Sequence, residues 1–145
     1  MHLNLLKDAK VVKIQNGAVA AQTLVTSSTI AMDGFDSVMI VADLGTVTDT
    51  AVLTLTAQDG ALANGSDAAS VAGAATPAFT AAGSSNGQLV LDVQQLQKEF
   101  LTVTLARTTA NVVVNSITAI LYNAHNKPTT QPTTVLASAE AEAAA

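Results

Sequence analysis

AVLTLTA at residues 51–57 and LTVTLA at residues 101–106 alternate between aliphatic side chains and threonine. Successive side chains of an extended chain point to opposite faces, so each stretch separates its aliphatic residues from its threonines. Leucine on one face and threonine on the other is typical of a half-buried β-strand. The predicted inward residues are Leu53, Leu55, Leu101, Val103 and Leu105, and the predicted outward residues are Thr54, Thr56, Thr102 and Thr104.

Further stretches also favour strands, and turn-forming residues separate them. Residues 37–44, SVMIVADL, form a nearly continuous apolar run, which predicts a strand buried on both faces. A count of about 7–8 short strands indicates an all-β fold: a single β-sandwich over residues 1–124. A jelly-roll-like sandwich is predicted, with an immunoglobulin-like sandwich as the alternative, and the sequence does not determine the strand order. The remaining predicted strands cover residues 10–14, 18–32 (long and irregular), 88–93 and 112–122.

Residues 59–87 differ in composition from the rest of the chain, being rich in alanine, glycine and serine. A structureless segment of this length is uncommon in a compact domain. We therefore expect an extended loop that lies over a surface, with a short strand near TPAFTA (residues 76–81) as the alternative. The aromatic residue of this loop, Phe79, is predicted either to anchor it to a partner or to fill the core of its own domain.

One helical signal stands inside the domain. Asp92 is followed three residues later by Gln95, which fits a capping box. The sequence predicts one or two helical turns at this point.

The composition excludes several kinds of chemistry. Hydrophobic residues make up 49% of the chain, aromatic residues 3% and charged residues 12%, and cysteine is absent. Without cysteine there are no disulfides, thiolate nucleophiles or cysteine metal ligands. Without tryptophan, stacking on sugar rings or unpaired bases has little support. Arg107 is the single arginine, so a partner interface would rely on aliphatic contact and backbone pairing.

The net charge of −5 argues against nucleic acid as a partner. No apolar run approaches the roughly 18 residues of a membrane span, and the start of the chain lacks a signal-peptide core, so we expect no membrane partner. Lys7, Lys10 and Lys13 form one basic cluster near the start. The cluster is either a solvated edge or a contact with an acidic partner surface.

Candidate catalytic and metal-binding residues are few. His2 and His125 lie at opposite ends of the chain, and neither has a second histidine at ligand spacing. No nucleophile elbow and no phosphate-binding loop is present. Asp59, Asn64 and Asp67 share one loop but lack the spacing of a calcium site, so they are interpreted as turn residues. The sequence predicts no enzyme activity, no cofactor and no metal site.

The chain ends in HNKPTTQPTTVLASAEAEAAA, residues 125–145. Pro128 and Pro132 favour an extended backbone and disfavour further sheet pairing. Residues 126–135 would reach roughly 30 Å if fully extended. The tail is predicted to be an extended, partly flexible arm that reaches a neighbour, with a frayed terminus as the alternative.

LNLLKDAKVVKI (3–14), DLGTVTDTAVLTLTAQ (43–58) and VVVNSITAILYNAHNKPTT (112–130) resemble small virion proteins of tailed bacteriophages. In its overall sequence pattern, the chain is most similar to the cement, or decoration, proteins that coat some capsids. The resemblance implies a jelly-roll-like sandwich that is made in the host cytoplasm and binds the capsid exterior. It also implies that the protein catalyses no reaction, that it binds a major capsid protein, and that it assembles as a homodimer or homotrimer.

Two alternative functions remain from the sequence. One is a tail, neck or spike component of the same virion, and the other is a surface glycan-binding module, which the missing tryptophan disfavours. The expected partner contacts are the N-terminal segment, the loop aromatic and the arm. These contacts are Leu5, Lys7, Lys10, Phe79, Pro128, Thr130, Pro132 and Val135.

Overall fold

A computed structural model of the chain describes residues 4–141. It contains one short helix, α1 (Leu5–Asp8), and eleven strands. Asn4 begins the helix, and its side-chain oxygen accepts a hydrogen bond from the Leu6 amide. The strands are β1 (Lys10–Gln15), β2 (Ala18–Ala21), β3 (Val25–Thr26), β4 (Ile30–Ala31), β5 (Phe35–Val47), β6 (Val52–Gly60), β7 (Ala69–Ala75), β8 (Phe79–Thr80), β9 (Gln88–Val93), β10 (Phe100–Thr108) and β11 (Val112–Ala124).

The strands form two antiparallel sheets that pack face to face. Sheet A has the order β1-β11-β5-β9, with β2 also paired to β11; sheet B has the order β3-β10-β6-β7, with β4 on β10 and β8 on β6. Strands β1 and β2 follow each other along the same side of β11, so they form one interrupted edge strand. The pairs β3–β4 and β7–β8 do the same in sheet B.

With each interrupted pair counted once, the fold has eight strands in the orders 1-8-3-6 and 2-7-4-5. This is the order of a jelly roll, in which two Greek keys fold into facing sheets. The predicted all-β sandwich of about eight strands is confirmed, and the observed strand order is that of a jelly roll.

The alternating stretches form the centre of sheet B. Leu55 on β6 lies opposite Leu105 on β10, and both side chains are fully buried. Thr54 and Thr56 lie on the outer face and are half-buried, as predicted. The other inward residues named from the sequence are also fully buried: Leu53, Leu101 and Val103.

The prediction that Thr102 faces solvent is wrong. Thr102 lies on the outer face of sheet B but is buried, and its hydroxyl forms a 2.8 Å hydrogen bond with that of Thr29. The segment around Gly65 covers both hydroxyls, and Gly65 has a φ of +71°. A side chain at position 65 would clash with the Thr29 hydroxyl, so this segment can lie over the two hydroxyls only with glycine there.

The prediction that residues 37–44 are buried on both faces is only half right. On the inner face of β5, Val38, Ile40 and Ala42 have no solvent exposure. On the outer face, Met39 and Val41 remain partly exposed. No element of residues 4–141 covers these outer side chains completely.

The segment 59–87 contains more regular structure than an extended loop. The short strand expected near residues 76–81 is present as β8, which pairs Phe79 with Leu53 and Thr80 with Val52. Strand β7, which pairs with β6, was not predicted. Its residues, ASVAGAA, are too small and too uniform to produce a visible alternation.

The helix predicted from Asp92 and Gln95 is wrong. Strand β9 continues through Val93, so Asp92 lies inside a strand and its side chain accepts a hydrogen bond from the Tyr122 hydroxyl instead of capping a helix. Gln95 has a φ of +58°, which is incompatible with a right-handed helix.

Asp67 closes the turn between β6 and β7. Its carboxylate accepts hydrogen bonds from the Ala61 amide at 2.8 Å and the Leu62 amide at 3.1 Å. The bond from Ala61 is the main cause that lowers the pKa of Asp67 below its ordinary value. A lowered pKa in the folded state means that the turn is stabilised at neutral pH and loses this contribution as the carboxylate becomes protonated in acid.

This predicts an acid-dependent loosening of residues 61–68. In an NMR pH titration, the amide signals of Ala61 and Leu62 should move with a midpoint below the usual range of aspartate. Replacing Asp67 with asparagine should remove that transition while leaving the core signals unchanged. A midpoint at or above the ordinary aspartate value would contradict the assignment.

Candidate docking surface

The outer face of sheet A carries a continuous aliphatic surface. Residues opposite each other on neighbouring strands share a face, which places Val11, Ile120 and Met39 in one row across three strands. In the next row, Val41 lies beside Val90. We call these five residues the aliphatic face. Val90 is 51% exposed and the other four are partly exposed.

An open groove of about 620 Å³ lies over one end of the aliphatic face. Met39 and Ile120 line the groove together with Leu5 and Ala9 from the α1 segment. Leu5 is 69% exposed at its rim, although it is a large apolar side chain. Exposed apolar surface with a polar rim is typical of a site that binds another molecule.

The polar rim includes Tyr122 and Asp92, which lie two strands apart. The Tyr122 hydroxyl donates a hydrogen bond to the Asp92 carboxylate. Burial raises the pKa of the Tyr122 phenol, and the bond to Asp92 and its negative charge act in the same direction. The phenol therefore stays protonated at neutral pH and holds Asp92 towards the groove.

The tail folds back along α1 and the free edge of β1. The Thr129 amide donates to the Lys7 carbonyl at 2.9 Å, and the Thr129 hydroxyl donates to the carbonyls of Leu6 and Ala9. The Gln131 side-chain amide donates to the same two carbonyls at 2.9 and 2.7 Å. Residues 129–134 are called the latch below, because they attach the tail to the domain.

The latch also occupies outward-facing amides of β1. The Val11 amide donates to the Gln131 side-chain oxygen at 3.0 Å, and the Lys13 amide donates to the Thr134 hydroxyl at 3.4 Å. An uncovered edge strand can pair with another chain. Here side chains satisfy these two amides, so the tail protects this edge without adding a regular strand.

Ion pairs accompany the latch at the surface. Lys7 lies 3.3 Å from Glu140, and Lys127 lies 3.2 Å from Asp8. Exposed pairs of this kind contribute at most about 1 kcal/mol each. Lys7 of the basic cluster therefore has an acidic contact within its own chain.

The structure brings together most of the residues predicted to contact a partner. Leu5 and Lys7 lie on α1, and the predicted tail residues lie along α1 and β1 or directly beside them. Lys10, Pro128 and Thr130 line a small hollow at the same end of the domain. Pro132 lies in the latch and Val135 directly follows it, and both are partly buried.

Phe79 is separate from this group. It lies on β8, at the edge of sheet B, and is 38% exposed. It neither fills the centre of the core nor lies near the groove. Arginine is common at protein interfaces, but Arg107 is buried and therefore unavailable to a partner.

Sequence reasoning missed the residues that define the surface most clearly. The sequence pattern predicts that Met39 and Val41 are buried, and it assigns Ile120 to no outer face. The partner contacts predicted in the tail include its prolines, whereas Thr129 and Gln131 make the contacts that attach it. The available signal was the continuous apolar run of residues 37–44, because a strand that is apolar on both sides needs a cover on both sides.

The latch gives a testable prediction about the tail. Replacing Gln131 with alanine removes three hydrogen bonds, while Thr129 still serves the carbonyls of Leu6 and Ala9. We expect hydrogen exchange at the Val11 amide and across residues 129–141 to become about tenfold faster, the equivalent of one or two net hydrogen bonds. Replacing the neighbouring, exposed Thr133 with alanine is the matched control. Equal exchange rates in the two variants would contradict the latch.

Neither a comparison with protein-family models nor a search of curated proteins finds a match to this chain. Across residues 4–141, no helix is long and apolar enough to cross a membrane. The same residues contain no cluster of three or more histidine, aspartate or glutamate side chains that could hold a metal ion.

Proposed function

We propose that this protein is a non-enzymatic structural component of a virion. It binds the outside of a tailed-phage capsid and clamps neighbouring subunits of the major capsid protein, as a cement or decoration protein does. It is made in the host cytoplasm and reaches its final position on the capsid exterior. The resemblance of three sequence stretches to such proteins and the jelly-roll order support this proposal.

The observation that carries the proposal is the partly exposed outer side of β5. Its residues are apolar on both sides, as in strands with a layer on each face. The inner side packs in the core, whereas Met39 and Val41 on the outer side face the groove and its surroundings. A protein partner that covers the aliphatic face supplies the second layer.

The chemistry of the surface favours a permanent assembly. Its centre consists of Val, Ile, Met and Leu side chains, charged groups lie only at its rim, and it contains no tryptophan, which is more typical of lasting interfaces than of transient ones. A capsid offers the same site many times, so a modest contact at each copy becomes strong when copies also bind one another. The net charge of −5 keeps the free protein soluble and away from nucleic acid.

The tail has a defined place in this proposal. Lys127 lines the groove beside Leu5, so a capsid subunit bound in the groove also contacts the start of the tail. The latch holds that part of the tail at the domain surface. We therefore place the capsid contact on the groove, the aliphatic face and the first residues of the tail.

Capsid stability tests this function. Mature capsids saturated with the protein should retain their DNA at higher temperature than capsids without it, because each bound copy must be released before neighbouring subunits separate. The measurement is DNA release, followed with an intercalating dye during heating. Equal release temperatures with and without saturating protein would contradict a clamping role.

A further inference from the structure

Strand β9 is a regular, unprotected edge of sheet A. It pairs with β5 over six residues without a register shift. At the opposite edge, the latch covers β1 and strand β2 has only four residues, and the edges of sheet B are interrupted. Strands β3 and β4 have two residues each, and Gly73 and Pro77 interrupt the β7–β8 edge. Long, flat, apolar edges are the ones that pair with another chain.

The hydrogen-bond pattern identifies which groups of β9 point outwards. The amides of Val11 and Lys13 face the latch, so Val12 faces β11. In antiparallel sheets the residues alternate between the two neighbouring strands. When this alternation is followed through the registers of β11 and β5, the backbone amides and carbonyls of Leu89, Leu91 and Val93 face β5. The bond from the Leu44 amide to the Gly87 carbonyl agrees with it.

Gln88, Val90 and Asp92 therefore direct their backbone amides and carbonyls away from sheet A. No strand among residues 4–141 pairs with that side of β9. Each of the three residues is also exposed. The edge thus offers three amides and three carbonyls in regular alternation.

We propose that this edge binds a second copy of the chain, β9 against β9, across a two-fold axis at Val90. In this register Val90 lies opposite the partner copy's valine, and Gln88 lies opposite the partner copy's aspartate. The outward amides and carbonyls of both strands then pair with one another. The Gln88 carboxamide can donate to the facing carboxylate, and the leucines at 89 and 91 face each other on the inner side.

Side-chain complementarity selects this register. Shifting the axis by half a residue would place Val90 opposite Leu91, whose amide and carbonyl face β5, so the backbone groups of the two copies would no longer meet. Shifting it by a whole residue, onto Leu91, would keep the backbone pairing but place Val90 against the charge of Asp92. The self-complementary register gives an isologous dimer, in which one patch on each copy binds the same patch on the other.

The dimer extends the surface described above. Sheet A of the two copies becomes one continuous sheet of eight strands. The two aliphatic faces then lie side by side, with the two copies of Val90 at the junction. This inference does not depend on the capsid, because the dimer is expected for the free protein.

The chain lacks cysteine, so a single introduced thiol reports the axis directly. Residues opposite each other in a hydrogen-bonded antiparallel pair have Cα atoms about 5.5 Å apart, which a disulfide can bridge. The variant Val90→Cys should therefore form a disulfide-linked dimer under mild oxidation. Val19→Cys, at the exposed valine on the β2 edge, is the matched control and should remain mostly monomeric on a denaturing gel.

Two further variants test the dimer without crosslinking. Val90→Lys adds a charge at the axis, and Val90→Pro removes an amide that β9 does not use towards β5. By sedimentation at about 100 μM, a range for weak to moderate association, the unmodified protein should have twice its monomer mass of 14.6 kDa. Both variants should have the monomer mass, whereas Val90→Thr and Val19→Lys should remain dimers.

The proposal is overturned if the unmodified protein sediments as a monomer at this concentration. It is equally overturned if a folded Val90→Lys or Val90→Pro variant remains a dimer, or if Val90→Cys crosslinks no better than Val19→Cys. A three-fold mass would also contradict it, since pairing of β9 with itself closes at two copies. Circular dichroism establishes that the variants compared are folded.

Discussion

Replacing Arg107 with alanine is expected to destabilise the domain by about 3 kcal/mol or more, because it leaves three carbonyls without their donor at about 1–3 kcal/mol each. Arg107 is 3% exposed and lies on β10 with its side chain inside the sandwich. Burial lowers the pKa of its guanidinium below the ordinary value of arginine. A buried cation of this kind must be compensated by its surroundings.

Backbone carbonyls provide that compensation. The guanidinium donates to the carbonyls of Val19 and Thr23 at 2.8 Å each and to the carbonyl of Val112 at 2.6 Å, and it also donates to the Thr23 hydroxyl. These bonds tie β2 and the segment that follows it to the β10–β11 hairpin. Alanine would leave three carbonyls without this donor and a cavity between the two sheets.

The measurement is urea-induced unfolding, monitored by circular dichroism. Arg107→Lys should lose most of the same stability, because the ammonium group of lysine cannot reproduce the planar arrangement of donors in the guanidinium. Lys98→Ala is the control for a cation at the surface, where the distance to Asp59 is 3.9 Å, and it should cost less than about 1 kcal/mol. A loss of under 1 kcal/mol for Arg107→Ala would contradict the structural role.

Replacing Ile120 with glutamate is expected to weaken binding to capsids by about 30-fold or more, the equivalent of the 2 kcal/mol that defines an interface hot spot. Ile120 lies at the centre of the aliphatic face, between Val11 and Met39, and lines the groove. A carboxylate at this position would have to be desolvated against an apolar partner. The fold should change little, because the side chain points away from the core.

Thr56→Glu is the matched control for this prediction. Thr56 lies opposite Thr104 near the middle of sheet B, on the outer face of the other sheet. The same charge is added there, but the groove is not touched. Binding is measured by sedimentation with capsids, and thermal unfolding establishes that both variants remain folded. If Ile120→Glu binds as well as Thr56→Glu, the partner does not use the aliphatic face.

The sandwich could be predicted because its central strands carry a local signal. Leu53, Leu55 and Leu105 alternate with threonine, and nothing distant in the chain has to be known to interpret that pattern. The jelly-roll order is harder to predict, because eight strands of similar apolar content allow many pairings. The edge pieces at Val25–Thr26 and Ile30–Ala31 are too short to carry a pattern of their own.

The docking surface depends on tertiary contacts that leave little trace in the sequence. The latch forms because α1 leaves the carbonyls of Leu6 and Ala9 free for Thr129 and Gln131. A run of threonine, glutamine and proline has no periodicity that indicates such contacts. Met39 was placed in a core because an apolar side chain gives the same signal whether its own chain or a partner covers it.

We propose that the protein coats a capsid lattice through one face of a jelly roll, and the number of copies bound per capsid is the decisive measurement. Purified protein is mixed with mature capsids of the phage that encodes it, the capsids are sedimented, and bound copies are counted by gel densitometry. Saturation is expected near one copy or more per major capsid subunit. Saturation at about a dozen copies would instead indicate a ring at the neck or tail. Such a result, or the absence of binding, would overturn the proposal that the protein is a lattice cement.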